Sequence, residues 1–264
     1  MTDPINTDKL VSEQYKTASN LDARISLHSK YSTNKTGWFN FILGQLRDVP
    51  SDAHVLELGC GNGSFWVNYG ERIPPDWVIT LSDISEGMLL DAWRSLVVTK
   101  RNFKYKQINA QQISFKDAAF DLVMANHMLY HVPNREKAIA EIRRVLKRGG
   151  TFIASTNGNG HMKEMVEYLQ LVDPGNPFIN HDFFTLENGR DLLEKFFEKV
   201  EILEYSDSLV IDQVEPVIDY IRSAIPEERR DEIRLDFVRD VLKSTYDSEK
   251  SIRISKRNGI FICK

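Results

Sequence analysis

Polar and apolar positions follow two alternating rhythms through the middle of the chain. The short runs His54–Leu58, Trp77–Ser82, Lys104–Asn109, Phe120–Ala125 and Thr151–Ser155 have strand character. Between them, near 64–73, 86–99 and 135–147, apolar residues recur at helical spacing. In the last of these, Ala138, Ile139, Ile142, Val145 and Leu146 make one stripe. Asn134 stands where a cap is needed, and Gly149-Gly150 stand where the helix is expected to end. Strand–helix alternation from about 54 to 156 predicts a parallel sheet with helices on both faces.

The flanks are less regular. Residues about 6–47 read as helices, with Trp38, Phe39, Ile42, Leu43 and Leu46 on one face, and Pro50-Ser51-Asp52 breaks the pattern. After Ser155 come a loop at Asn157-Gly158-Asn159-Gly160 and a helix near 161–172, interrupted by Pro174, Gly175 and Pro177. Then follow a helix near 186–197, a strand near Lys199–Tyr205, and helices near 214–224 and 227–246. In the closing segment, Lys256-Arg257-Asn258-Gly259 between two Ile-rich runs reads as a hairpin turn. The expected organisation is a helical cap over residues 1–50, a ligand-binding core over 51–156, and lid helices plus the strands that complete the sheet over 157–264. The expected fold class is α/β: a Rossmann-like parallel sheet with an antiparallel C-terminal strand, helices on both faces and a helical lid.

Composition narrows the classes. A chain of 264 residues with 42% hydrophobic content can bury one α/β core with an added segment. Its formal charge of −4, without a large Lys/Arg cluster, argues against a non-specific grip on nucleic acid. Cys60 and Cys263 lie in no metal or redox spacing, so no metal is expected and a reducing, cytoplasmic setting fits. The polar N-terminus and the lack of a run of about 20 apolar residues speak against a signal peptide or a membrane span.

The chemistry concentrates at Val55-Leu56-Glu57-Leu58-Gly59-Cys60-Gly61-Asn62-Gly63. An apolar strand runs into a turn spaced G-x-G-x-G, where a ligand can press against bare backbone near a helix N-terminus. By itself such a turn is weak evidence. Asp83 strengthens it, because it ends the second strand at the carboxyl edge, where ligands bind in such sheets. A carboxylate there can accept from both hydroxyls of a ribose; its plainer role is to cap the helix that begins near Ser85.

This region resembles class I S-adenosylmethionine-dependent methyltransferases, and within them the ubiquinone/menaquinone-biosynthesis methylases. The first motif is matched by Glu57-Leu58-Gly59-Cys60-Gly61-Asn62-Gly63, the second by Leu81-Ser82-Asp83-Ile84-Ser85-Glu86-Gly87-Met88. The third is matched by Asn109-Ala110-Gln111-Gln112-Ile113-Ser114-Phe115 with Phe120-Asp121-Leu122-Val123. His131-Val132 and Glu141–Gly150 match the segment that follows. The resemblance covers about 54–156. Two positions depart from it: Asn109 replaces the usual Asp of the third motif, and Arg148 replaces a Pro before the final Gly-Gly, where a helix is expected to end.

The resemblance implies S-adenosylmethionine as cofactor and assigns roles. Gly59, Gly61 and Gly63, with Cys60 and Asn62 between them, would border the methionine part, and Glu57 would orient its ammonium. Asp83 would hold the ribose. Ile84 and Met88 would flank adenine, and Asn109 and Ala110 would meet its edge. Asn126 and His127 would lie near the methionine part, and Tyr31 would close over the cofactor. Cys60 reads as a small filler, not a nucleophile. If the acceptor carries a proton, a general base is required, and His131 is the first candidate because it follows the fourth strand. His161 and His181 are weaker candidates; His28 and His54 look structural. Tyr15, Tyr31, Trp38, Tyr130, Phe178, Phe183 and Phe184 could shape an acceptor pocket. The expected function is methylation of a small-molecule acceptor, with no nucleic-acid partner. The alternatives are a non-catalytic cofactor-binding module and a nucleic-acid or protein methyltransferase. A nicotinamide dehydrogenase would need G-x-G-x-x-G, and Ser64 stands where that pattern continues. Oligomeric state and acceptor identity are not encoded in these motifs.

Overall fold

The computed structural model describes residues 18–176, 184–230 and 233–264. Tyr15, Phe178, His181 and Phe183 lie outside the described residues. The strands are β1 (His54–Leu58), β2 (Val78–Asp83), β3 (Phe103–Gln107), β4 (Phe120–Asn126), β5 (Leu146–Asn157), β6 (Val200–Ile211) and β7 (Ile252–Cys263). They form one sheet in the order β3-β2-β1-β4-β5-β7-β6. β1 to β5 pair in parallel, and β7 runs antiparallel to β5, with Phe152 opposite Cys263 and Ser155 opposite Ile260. This is the expected Rossmann-like arrangement.

The helices are α1 (Ala18–Tyr31), α2 (Trp38–Gly44), α3 (Ser64–Tyr69), α4 (Glu86–Leu96), α5 (Arg135–Val145), α6 (Lys163–Val172), α7 (Gly189–Leu193), α8 (Glu215–Ala224) and α9 (Leu235–Glu249). Successive side chains of a strand point to opposite faces, and the core divides accordingly. Leu56, Val123 and Phe152 join one apolar cluster with α5 residues Ile139 and Ile142. Their neighbours Val55, Leu122 and Ile153 join another with Trp66 and with α4 residues Leu89, Ala92 and Leu96. A strand buried on both faces must be apolar at nearly every position, which is why these strands read as continuous runs.

The chain divides into two compact units. One holds Trp38–Gly158, Phe183–Tyr205 and Asn258–Lys264, among them all the cofactor motifs. The other holds the described residues of Met1–Gly37, Asn159–Asp182 and Ser206–Arg257. The latter has its own core, with Leu27, Leu169, Ile218, Val238 and Leu242 fully packed. Inside it, Asp207 accepts from Ser32 Oγ (2.7 Å) and Asn34 N (3.0 Å) and pairs with Lys256, both charged side chains being buried.

Several boundaries differ from the sequence expectation. Asn134 does cap α5, its Oδ1 accepting from Lys137 N at 2.9 Å. The helix nevertheless stops at Val145, and Leu146, Arg148 and the Gly149-Gly150 pair belong to β5. The pairing register slips between Phe120–Leu146 and Leu122–Thr151, and the glycines lie in that slip, Gly149 at φ 75°. The expected hairpin turn at 256–259 is absent, because β7 is one continuous strand. Gly259 serves close approach instead: a Cβ there would sit 2.6 Å from the Leu203 carbonyl oxygen of β6. The helix expected near 186–197 contracts to α7, and that near 227–246 becomes a short 3₁₀ turn, Glu227–Arg229, before α9. The strand near 199–205 extends to Ile211.

Candidate active site

The carboxyl ends of β1, β2 and β4 bring the first, second and fourth-strand motif residues together. β1 ends at Leu58, and the next turn holds Gly59, Gly61 and Gly63 at φ 68°, 54° and 77°. All three are left-handed, where a side chain costs about 1–2 kcal/mol. Their surroundings differ. A Cβ on Gly59 would lie 2.7 Å from Met128 Cβ, and one on Gly63 would press Leu96 at 3.0 Å. A Cβ on Gly61 would meet nothing within 4 Å. Gly59 and Gly63 are therefore held by packing, whereas Gly61 faces open space. The turn is tied to β2 by Cys60 N donating to Ser82 O (2.9 Å) and Gly61 N donating to Asp83 Oδ2 (3.0 Å). Asn62 accepts from Ser64 N at 3.2 Å, starting α3. Cys60 is buried, and desolvation pushes its thiol well above the usual range, aided by Glu57 and Asp83. It joins the apolar cluster of Phe65, Trp66 and Leu89, and such burial keeps a thiol protonated and unreactive.

Asp83 is 9% exposed. Besides Gly61, its Oδ1 accepts from Ser85 N at 2.9 Å, while Ser85 Oγ caps α4 through Met88 N. Burial raises the carboxyl from its ordinary range, and the backbone donors partly oppose that. The backbone N–H of Ile84 is a third donor to this carboxylate. A carboxylate has about four lone-pair sites, so acceptor capacity remains for a ligand hydroxyl.

Glu57 is only 2% exposed. Its carboxylate accepts from Trp66 Nε1 and from Asn126 Nδ2, the latter at 2.8 Å. Burial is the main reason its pKa rises to about 7; the Trp66 and Asn126 hydrogen bonds pull the other way. Because Asn126 must turn its NH₂ to the carboxylate, its Oδ1 points elsewhere. That oxygen is buried and has no hydrogen-bond partner. A buried acceptor left unmade costs about 1–3 kcal/mol. An ammonium donor beside Glu57 and Asn126 would relieve it, so this set fits the amino-acid end of S-adenosylmethionine.

Of the residues that the resemblance assigns to adenine, Ile84 is 47% exposed and Met88 is buried. Asn109 Oδ1 accepts from Gln111 N at 2.9 Å, and Ala110 is buried beside it. The turn replaces the side-chain oxygen's outward reach with a local bond, leaving the amide NH₂ as the group Asn109 can offer a ligand. Gln111 Oε1 accepts from Asn134 N at 3.0 Å, which ties this loop to the start of α5.

Beyond β4, His127 has a left-handed backbone, φ 49°, pinned where its N–H donates to Ser155 O and Oγ at 3.2 and 3.0 Å. Its ring lies 5.4 Å from Trp38 and 6.3 Å from Tyr130. His131 ends a 3₁₀ turn, Leu129–His131, its ring edge-on to Tyr130 at 4.5 Å. Trp38 also packs against Phe41 and Tyr205.

The remaining candidates divide between the two units. Tyr31 is buried in the cluster of the second unit with Leu27 and Leu209, and Lys30 Nζ lies 4.9 Å from its ring centre. His161, in that same unit, accepts from Arg257 N through Nδ1 at 3.1 Å. His28 packs its ring edge-on to Tyr220. Phe184 packs on Phe261 in the core. His54 opens β1, its N–H donating to Asp121 Oδ2 at 2.9 Å. Two partners escaped the sequence reading: Trp66, which binds Glu57, and Ser155, which fixes His127. Trp66 lies nine residues after Glu57, on the helix that the glycine turn starts. A polar-tipped aromatic at that place is the one signal that could have revealed it. Among the described residues, no group of three or more His, Cys, Asp or Glu could hold a metal, and no helix is long and apolar enough to cross a membrane.

Comparison with known proteins agrees with this geometry. A family model described as a methyltransferase domain matches residues 56–154. The demethylmenaquinone methyltransferase of Symbiobacterium thermophilum is 31% identical over 69% of this chain and 67% of its own length. The malonyl-[acyl-carrier protein] O-methyltransferase of Geobacter sulfurreducens is 30% identical over 58% of each. Against several curated relatives, the ubiquinone/menaquinone biosynthesis C-methyltransferase of Xanthomonas campestris among them, the chain spans less than half of their length. Among solved structures, phosphoethanolamine N-methyltransferase 2 of Haemonchus contortus, in complex with S-adenosyl-L-methionine, superposes with a TM-score of 0.62. It is 18% identical and covers 99% of this chain and 60% of its own, a likeness of fold. With the glycine turn, Asp83 and Glu57 all at the carboxyl edge of the sheet, the chain belongs to the class I S-adenosylmethionine-dependent methyltransferases, the family for which S-adenosylmethionine is the methyl donor.

Proposed function

We propose that this protein transfers a methyl group from S-adenosylmethionine to a small-molecule acceptor. The observation that carries the reading is the Glu57–Asn126 pair, a buried carboxylate beside an acceptor oxygen with no donor. A cationic amino group completes that set, and the cofactor ends in one. Asp83 would accept from the ribose with its remaining acceptor capacity. Ile84 and Met88 would flank adenine, and Asn109 would donate to its edge. Gly61 leaves room for the ligand against the backbone.

When bound, the cofactor supplies a methyl on a sulfonium, already a good leaving group. The chain's task is then to hold the acceptor in line and to exclude water, which is chiefly proximity and orientation. Where the acceptor's nucleophilic atom carries a proton, His131 would take it, and Tyr130 against its ring would restrict the imidazole's orientation. The small-molecule reading is supported by relatives named for quinone precursors and carrier-bound malonate and by the acidic net charge of −4.

The test is radiolabelled methyl transfer. Protein, methyl-labelled S-adenosylmethionine and a metabolite extract should yield label in the low-mass fraction. Label in nucleic acid or protein instead would reject the small-molecule acceptor. Tight binding of the cofactor without turnover across acceptor classes would favour a binding module. His131→Ala should lower turnover at least about 100-fold for a protonated acceptor, with cofactor affinity retained.

A further inference from the structure

The opposite end of the same strands carries a second concave surface. The chain crosses from β3 to β4 over β2 and β1, a path usually filled by a covering helix. Here residues 108–119 contain no helix. Ile108, Ala110 and Ile113 of this connection pack into the core, but the connection leaves a recess over one sheet face at the strands' amino ends. The result is a cavity of about 670 Å³, floored by Val78, Thr80, Phe120 and Ala119. Its rim is basic, with Lys104 and Lys106 from β3, Lys116 from the connection, Lys147 from β5 and His54 from β1.

The charges on that rim are unequal. Lys147 pairs with Asp121 at 2.8 Å. Lys106 donates to Ser114 O at 3.0 Å and lies 4.2 Å from the Phe115 ring centre, fixing one wall. Lys104 and Lys116 are exposed and have no carboxylate partner among the described residues. Lysines on an edge strand normally discourage strand pairing, and β3 is an edge. That explains Lys104 and Lys106. It does not explain Lys116 or Lys147, which reach the same hollow from other elements. In a chain with net charge −4, a concave site with an apolar floor and a cationic rim is complementary to one chemistry.

We propose that this hollow binds an amphipathic organic anion, with its apolar body on Val78, Thr80 and Phe120 and its anionic head between Lys104 and Lys116. The volume lies within the range of small-ligand sites, roughly 300–1,000 Å³. The site is separate from the cofactor turn: His54, Val78 and Phe120 open the strands whose other ends lead to Gly59, Asp83 and Asn126. The proposal does not depend on the methyl acceptor.

The probe is dodecyl phosphate below its micelle concentration, titrated calorimetrically into the full chain presaturated with S-adenosylhomocysteine. Saturable binding is expected, with affinity falling about tenfold or more in the Lys104→Glu/Lys116→Glu double variant. Inorganic phosphate and dodecyltrimethylammonium should each bind at least about tenfold more weakly than dodecyl phosphate. Thr80→Phe, which fills the floor and leaves the rim charges unchanged, should also abolish binding. Circular dichroism and unchanged S-adenosylhomocysteine affinity verify that both variants are folded. Unchanged dodecyl phosphate affinity in the folded double variant would overturn the proposal. So would equal binding of the cationic amphiphile, or competition between dodecyl phosphate and S-adenosylhomocysteine.

Discussion

Glu57 gives the sharpest test of the site, through the pH dependence of stability and its removal by Glu57→Gln. In water the carboxyl titrates near 4.5; buried beside Trp66 and Asn126 it titrates at about 7. The folded chain therefore holds a proton that the unfolded chain has released between those values. Stability is full below 4.5, declines as pH rises through the window, and levels off above about 7. At 1.36 kcal/mol for each decade, the loss is on the order of 3 kcal/mol. Glu57→Gln keeps the shape and can still accept from Trp66 Nε1, but it does not titrate. Urea unfolding of the cofactor-free protein at intervals from pH 4 to 8 isolates the residue as the difference between the two proteins. Wild type should lose about 3 kcal/mol relative to Glu57→Gln across the window. The cofactor ammonium should favour the ionised carboxylate, so S-adenosylhomocysteine binding near pH 6.5 should release protons from wild type and not from the variant. Parallel pH profiles for the two proteins would refute the buried-carboxyl argument. Absent proton release, with the stability difference intact, would refute only its contact with the amino group.

Other outcomes follow from the same geometry. Asp83→Ala should weaken S-adenosylhomocysteine binding by about 1–3 kcal/mol, and unchanged calorimetric affinity would remove Asp83 from the ribose. Gly59→Ala should destabilise by about 2–4 kcal/mol, combining the left-handed backbone with the clash at Met128. Gly61→Ala, which meets no atom, should cost only about 1–2 kcal/mol of stability and show its larger effect on cofactor affinity. If denaturant unfolding ranks the two equally, the distinction between packed and ligand-facing glycines is wrong. Lys256→Met should destabilise by about 3 kcal/mol or more, because it leaves Asp207 buried without its cation. A thermal midpoint unchanged by that substitution would contradict the burial of the pair.

The sequence alone determined the strand order of chemistry. Apolar runs ending in Glu57-Leu58-Gly59 and in Ser82-Asp83 place their last residues at the carboxyl edge, since parallel strands all end on the same side. That logic needs only periodicity and turn chemistry, and it located the glycine turn, Asp83 at the end of β2 and the cap at Asn134. It misled where a local signal had two meanings. Gly149-Gly150 can stop a helix or relieve a register slip, and Gly259 can make a turn or admit a neighbouring carbonyl. Only the pairing of β5 with β4, and the Leu203 carbonyl of β6 behind Gly259, decide between them. Likewise, no window of sequence joins Glu57 to Asn126, 69 positions apart, or gathers Lys104, Lys116 and Lys147 on one rim. Those contacts arise because the sheet brings distant strands side by side, about 5 Å apart, and burial then sets what each charge can do.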